Sequence, residues 1–237
     1  ESEQFSDSPV YNIEFKNGIS SFGEGVSVQF GAILRLSNLR LGLNYDSPQY
    51  LEIYDETQQS LSSVYFDQGS IIRETVDPGI LNVYDAYQLK LPSKTTFSAA
   101  YIFGKKGLIS LDYSTQNAAN TVLSRTEGSG YLDDLTASLP NTYGSIETIK
   151  IGAEYRLKDI SLRAGLLNRN NMQKRISSSD QAITFGLGLD FGSNSLSLSF
   201  VQFDQSKAFQ MFSEGLNDLY TLSNKITQVS LSYNIKL

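Results

Sequence analysis

The residues of this chain able to do chemistry are carboxylates, amines and guanidines, and they are spread singly along it. Arg35, Arg40, Asp46, Lys90, Lys94, Asp112, Lys150, Glu154, Arg156, Arg163 and Asp190 mostly stand beside apolar residues. Single charges of both signs can pair, hydrate a polar face or sort a solute. They do not make an acid/base couple, which needs two titratable groups converging on one point. Histidine and cysteine are both absent. Their absence excludes Ser-His-Asp and Cys-His nucleophiles, thiolate zinc sites, imidazole ligands and disulfides. The acidic couples Asp55-Glu56 and Asp133-Asp134 come nearest to a surface calcium site, but they lack the ligand spacing of a calcium loop. No glycine-rich strand-to-helix phosphate loop is present. The reading is a protein that is not an enzyme, with no catalytic, cofactor-binding or metal-binding residues and no cofactor.

The elements that carry these side chains must be inferred from pattern. A length of 237 residues suits a single all-β domain, read here as one body over 1–237. The net charge of −6 is interspersed, with no basic stripe, so nucleic acid is not an expected partner. No run of about 18 apolar residues exists to form a membrane helix. Mean hydropathy is −0.22, mildly polar, as expected where apolar and polar residues alternate. Glu1 to Ser8 carry neither a basic head nor an apolar stretch, so any secretion signal is expected to have been removed already.

Alternation is the dominant signal. Val26, Val28, Phe30, Ala32, Leu34 and Leu36 share one face against Ser27, Gln29, Gly31 and Arg35, with Ile33 an exception. Leu39, Leu41, Leu43 and Tyr45 then oppose Arg40, Gly42, Asn44 and Asp46. Similar runs cover Leu89 to Phe103, with a bulge or kink expected at Pro92, and Ile109 to Tyr113. Others cover Ile149 to Leu157, Ile160 to Leu166, Ile183 to Phe191, Leu196 to Phe200 and Val229 to Leu237. A weaker strand holds Tyr11, Ile13 and Phe15. The count is about ten strands, several near the roughly 9–11 residues that cross a bilayer when tilted, and no helix of ordinary length.

Alternation does not say which face is outside; a lipocalin-like barrel buries the apolar face that a membrane barrel turns to lipid. Two features favour lipid. Connections alternate between tight turns (Ser37-Asn38, Gly104 to Gly107, Lys158-Asp159, Gly192 to Asn194) and long ones (Asp55 to Tyr84, Gln116 to Tyr143, Asn168 to Asp180, Asp204 to Asn224). The polar face holds the charges named above together with Gly31, Gly42, Gly152, Gly165, Gly186 and Gly188, which suits a wet, narrow lumen. Tyr45, Tyr101, Phe103, Tyr113, Tyr155, Phe191 and Tyr233 lie near strand ends, as an aromatic girdle would, although β propensity alone also favours aromatics. The expected fold is therefore an antiparallel transmembrane β-barrel with short turns at one rim and long loops at the other.

Several segments resemble the FadL/TodX family of outer-membrane transporters for hydrophobic compounds, in its Bacteroidetes-type branch. They are Phe30-Gly-Ala-Ile-Leu-Arg-Leu36 with Leu39-Arg-Leu-Gly-Leu-Asn-Tyr-Asp-Ser-Pro48, and Leu89-Lys-Leu-Pro92 with Ala99 to Tyr113. Gly152-Ala-Glu-Tyr-Arg156, Ser161-Leu-Arg-Ala-Gly165, Gly215-Leu-Asn-Asp218 and the strand Val229 to Leu237 continue the order. The resemblance implies a larger barrel of about fourteen strands with an N-terminal hatch, of which this chain is the C-terminal portion. A shortened relative that closes alone is the alternative, because an open sheet edge is not tolerated in lipid. It further implies uptake of compounds such as long-chain fatty acids or aromatic hydrocarbons at the bacterial outer membrane, with membrane lipid and hydrophobic small molecules as partners. The alternative function is a non-transporting scaffold or shuttle subunit of an outer-membrane secretion or assembly complex, gripping other envelope proteins through its loops.

The segment Lys207 to Lys225 is read as a long apolar loop, with Phe209, Met211, Phe212, Leu216 and Tyr220 as candidate substrate contacts. A short loop helix packed on a neighbouring loop would use the same residues. Val64, Tyr65, Phe66, Ile71 and Ile72 carry the same two readings. The polar-face charges either select a solute or pair with one another inside the barrel.

Overall fold

The structure, a computed structural model, describes residues 2–4, 10–125, 130–175, 179–210 and 219–235. The first half runs through β1 (Ser2–Gln4), β2 (Val10–Val26), β3 (Gln29–Leu36), β4 (Leu39–Asp46), β5 (Gln49–Asp67), β6 (Ser70–Val76), β7 (Leu81–Val83), β8 (Tyr87–Leu91), β9 (Lys94–Ile102) and β10 (Gly107–Asn117). A 3-10 turn (Ala118–Asn120) leads to β11 (Val122–Arg125) and the helix α1 (Tyr131–Thr142). β12 (Ser145–Leu157), β13 (Ile160–Arg169), β14 (Asp180–Asp190), β15 (Asn194–Gln210) and β16 (Leu219–Ile235) complete the described chain. The fold is all-β, and the pairings with a residue register are all antiparallel.

The strands form two sheets and the chain two compact units. One unit comprises Glu1–Val26, Tyr50–Leu89 and Leu123–Asp133, and its seven strands follow the order β1-β2-β5-β8-β11, with β6 and β7 also on β5. The other comprises Ser27–Gln49, Lys90–Val122 and Asp134–Leu237, and its nine strands follow the order β16-β15-β14-β13-β12-β10-β9-β4-β3.

The chain leaves one sheet for the other where the ladder is interrupted. Pro48 lies between β4 and β5, and Pro92 between β8 and β9. Neither has an N–H to give a neighbour. The kink expected at Pro92 is thus a full break, at which the Pro92 carbonyl accepts from Gln116 Nε2 at 3.0 Å. At the gap between β2 and β3, the Val28 amide donates to Ser47 Oγ at 2.8 Å and the Ser47 amide donates to the Val28 carbonyl at 2.8 Å.

In the nine-stranded sheet every tight turn expected from sequence is a tight turn. Ser37 (φ 51°) and Lys158 (φ 53°) occupy the left-handed region at the first turn position, and Gly104 (φ 59°) and Gly192 (φ 84°) do so at theirs. The long connections lie at the opposite ends of the same strands. Their contents correct the expectation of loop, however. Residues 49–67 are one strand, with the β5–β6 hairpin turning at Gln68 (φ 46°) and Gly69 (φ 87°). β15 and β16 stay paired out to Gln210↔Leu219, well inside the segment read as loop. β2 extends to Val26, far beyond Phe15.

The absence of a helix is also corrected. α1 spans 12 residues, including Pro140. Gly130 and Asp133 cap its start reciprocally: the Gly130 amide donates to Asp133 Oδ2 at 3.0 Å and the Asp133 amide donates to the Gly130 carbonyl at 2.9 Å. Lys174 ties the far end, its Nζ reaching the Pro140 carbonyl at 2.6 Å. Among the described residues no helix is long and apolar enough to cross a membrane.

Candidate functional site

The nine-stranded sheet is inside out by the standard of a soluble protein. In β4, Leu41, Leu43 and Tyr45 are exposed while Gly42, Asn44 and Asp46 are half-buried. In β14, Ile183, Phe185 and Leu187 are exposed, Ala182 and Gly188 buried, and Thr184 and Gly186 half-buried. Leu41, Ile151 and Leu187 are 38%, 44% and 37% exposed. The sole buried hydrophobic side chain among the described residues is Ala182, at 8%.

Register aligns the apolar side chains into continuous rows. One runs Leu34↔Leu41↔Ala99↔Leu111↔Ile151↔Leu166↔Ile183 across seven strands. The next runs Leu36↔Leu39↔Tyr101↔Ile109↔Ala153↔Ala164↔Phe185↔Phe200↔Val229 across nine. An exposed apolar surface of this extent is what a lipid-facing band presents.

The other face is polar, and its charges stand opposite one another. Asp46 faces Lys94, Asp112 faces Lys150, Glu154 faces Arg163 and Arg169 faces Asp180 across adjacent strands. Glu154 accepts from Arg163 Nε at 2.9 Å and also from Arg156 Nε. Arg169 Nη2 donates to Asp180 Oδ2 at 2.6 Å. Of the two roles left open for these charges, these contacts are of the internal-pairing kind. Arg35 and Arg40 are the like-charged exception, directly opposite each other. Two glycines make room: a Cβ on Gly165 would stand 2.6 Å from Thr184 Oγ1, and one on Gly188 would meet Arg163 Nη1 at 3.3 Å. Lys90 lies instead in β8, on the seven-stranded sheet.

One row of the polar face breaks the pattern: Lys150↔Leu167↔Ala182↔Phe203↔Ile226. Four neighbouring strands thus contribute an apolar side chain to the otherwise polar face at one level. The row lies between the Glu154–Arg163 and Arg169–Asp180 levels. The sequence reading missed it, because Leu167 and Ala182 are each a lone apolar intrusion on the polar side of their strands and the row exists only across strands. The signal that would have found it is the cross-strand register, which follows from counting outward from the tight turns.

Of the candidate substrate residues, Phe209 and Tyr220 are directly opposite on β15 and β16, and Tyr220 is exposed. Met211, Phe212 and Leu216 lie outside the described residues. Val64, Tyr65 and Phe66 pair with Arg73, Ile72 and Ile71 in the β5–β6 hairpin. Asp55 belongs to a cavity of about 350 Å³ in the seven-stranded unit, together with Tyr84, Tyr87, Arg125 and Tyr131. Burial there, reinforced by the Asp55 carboxylate, pushes the Tyr87 phenol up. Asp133 serves as the helix cap described above. Among the described residues no three acidic side chains gather as a metal site.

No protein-family profile matches the chain, and no curated protein matches its sequence. Solved structures do. The chain is similar to the CymD monoaromatic hydrocarbon channel, with 12% identity and a TM-score of 0.52 over 98% of this chain and 58% of that one. It is also similar to the Pseudomonas putida toluene transporter TodX, with 17% identity and a TM-score of 0.50 over 90% of this chain and 50% of that one. The fold is that of a hydrocarbon-channel β-barrel. The chain spans between half and three-fifths of the length of these channels. The nine-stranded sheet carries rows of Leu, Ile and Phe on one face and its paired charges on the other.

Proposed function

We propose that this chain forms part of the wall of a bacterial outer-membrane channel that takes up hydrophobic compounds, either aromatic hydrocarbons or long-chain fatty acids, without enzymatic turnover. The observation that carries the reading is the inverted burial of the nine-stranded sheet. Left facing water, the many half-exposed Leu, Ile, Val, Phe and Tyr side chains of this sheet would each forgo about half of the roughly 1.5–3 kcal/mol that full burial gives, together more than the whole stability of a domain. Hydrocarbon removes that cost, and the similarity in fold to hydrocarbon channels agrees with it.

The apolar inner row Leu167, Ala182, Phe203 and Ile226 is the candidate contact for cargo on the lumen side. A greasy solute passing a charged wall would have to strip water from paired ions; an apolar row across four strands gives it one level of contact that avoids this. In β3 and β16 the described residues pair only with β4 and β15. Since unpaired strand edges are not tolerated in lipid, the rest of the wall is assigned to further strands of a larger barrel. Phe209, Met211, Phe212, Leu216 and Tyr220 remain the candidate capture residues.

Uptake of labelled toluene and labelled long-chain fatty acid by cells producing the protein tests this. Phe203→Glu is expected to lower uptake about tenfold, the equivalent of losing one aromatic contact of roughly 1.5 kcal/mol. Unaltered uptake of both compounds by cells lacking the protein would contradict the channel reading and favour the scaffold.

A further inference from the structure

Two features of the nine-stranded sheet lie side by side at its short-turn rim. The first is a basic cleft of about 790 Å³, lined by the turn Gly104-Lys105-Lys106 and by Tyr155, Arg156, Leu157 and Lys158. Its two turns are tied together, since the Arg156 amide donates to the Lys106 carbonyl at 2.7 Å. Gly104 supplies the left-handed φ of 59° that lets the first turn close, and the Lys106 amide donates to the Phe103 carbonyl at 3.0 Å. Arg156 is engaged by Glu154, but Lys105, Lys106 and Lys158 form no ion pair among the described residues. Three free ammonium groups in one cleft are a local reversal of sign in a chain of net charge −6.

The second feature is an apolar groove of about 660 Å³ on the face assigned to lipid, with Ala153 and Ala164 among its lining residues. These two alanines stand directly opposite each other, between Ile109 on one side and Phe185 on the other. Small residues flanked by large ones leave a trough between their side chains that suits a hydrocarbon chain. Tyr155 lines both the groove and the cleft, so the two adjoin at this residue.

We propose that the cleft and the groove together are a seat for one anionic glycerophospholipid of the surrounding membrane. Its phosphate is held by Lys105, Lys106 and Lys158, and one acyl chain lies over Ala153 and Ala164. The inference rests on the membrane reading above. The charge decides the occupant: a hydrocarbon cargo has nothing for three lysines to hold, and a free phosphate has nothing to fill the trough. Selectivity comes from the headgroup, because all membrane lipids supply the chain; each lysine near an anionic headgroup contributes about fivefold.

The test is native mass spectrometry of the full chain released from nanodiscs holding equal amounts of phosphatidylglycerol and phosphatidylcholine. One phosphatidylglycerol retained with at least about tenfold preference is expected. Lys105→Gln, Lys106→Gln and Lys158→Gln together should abolish the preference, and Ala164→Phe should weaken retention with every charge in place. Equal retention of the two lipids overturns the proposal. So does a preference untouched by the triple variant, binding of inorganic phosphate without lipid, or a polypeptide in the seat when a photo-crosslinker replaces Leu157. Failure of the chain to enter nanodiscs of either lipid would instead overturn the membrane reading, and co-elution with the disc scores that outcome separately.

Discussion

The two sheets of this molecule differ in how they sort side chains. In the nine-stranded sheet one face is apolar and exposed and the other polar and paired. In the seven-stranded sheet both faces are mixed: along β2 and β5, Glu14 faces Ser62 and Ser20 faces Glu56 on one side, while Asn17 faces Gln59 and Ser21 faces Asp55 on the other. Charge pairing differs too. The nine-stranded sheet sets opposite charges across four strand pairs, whereas Glu24 and Glu52 of the seven-stranded sheet are like charges directly opposite. Among the described residues Arg35 and Arg40 are the one like-charged opposition on the nine-stranded sheet, and they stand beside its Ser37-Asn38 turn, where water reaches them. The lesson is that solvent on each face, rather than β propensity, writes the pattern of a strand.

The comparison breaks most visibly under a charge placed on an apolar row. Leu166→Arg should destabilise the protein in vesicles by about 2–4 kcal/mol, as arginine does near the bilayer midplane. Leu61→Arg, on an exposed leucine of β5, should stay within about 0.5 kcal/mol. Denaturant unfolding in lipid measures both, and equal effects would erase the distinction between the sheets.

A smaller contrast uses glycine. Gly165→Ala drives a Cβ to 2.6 Å from Thr184 Oγ1 and should cost about 1–3 kcal/mol, relieved in part by Thr184→Ala. Gly18→Ala has only the Gln58 carbonyl nearby, at 3.8 Å, and should be neutral or slightly stabilising. The smallest contrast is ionic. Glu154→Gln removes the charge and one of the two oxygens that accept from Arg156 and Arg163, and should cost about 1 kcal/mol, both arginines being partly exposed and screened. Glu14→Gln breaks the 3.5 Å pair with Lys16 at a solvated position and should change nothing measurable. Unfolding midpoints of the two variants give the comparison.

The wall hairpins were legible in the sequence because their two faces are chemically opposite; Leu39 to Asp46 and Ile149 to Leu157 read directly as strands with tight turns beside them. β5 was not, since Gln49 to Asp67 mixes polar and apolar residues on both faces and presents no contrast to read. α1 carried a signal that Pro140 and the Asp133-Asp134 couple obscured: Leu132, Leu135 and Leu139 recur at helical spacing, with Gly130 and Asp133 three apart as a cap. The inner apolar row was illegible strand by strand, because Leu167, Ala182, Phe203 and Ile226 meet only through register. The basic cleft was equally hidden, since Lys105-Lys106 and Lys158 come together only when two hairpins pair.

That hydrocarbon touches Ile151, Leu166 and Ile183 is tested most directly by the chain's lack of cysteine, which makes every introduced thiol unique. A fluorophore on single cysteines at 149, 150, 151 and 152 in β12, and at 183 and 184 in β14, can be quenched by brominated lipid acyl chains. Strong quenching at 149, 151 and 183 with little at 150, 152 and 184 is the expected result. Quenching with no period of two, or strongest at 150, 152 and 184, would contradict it.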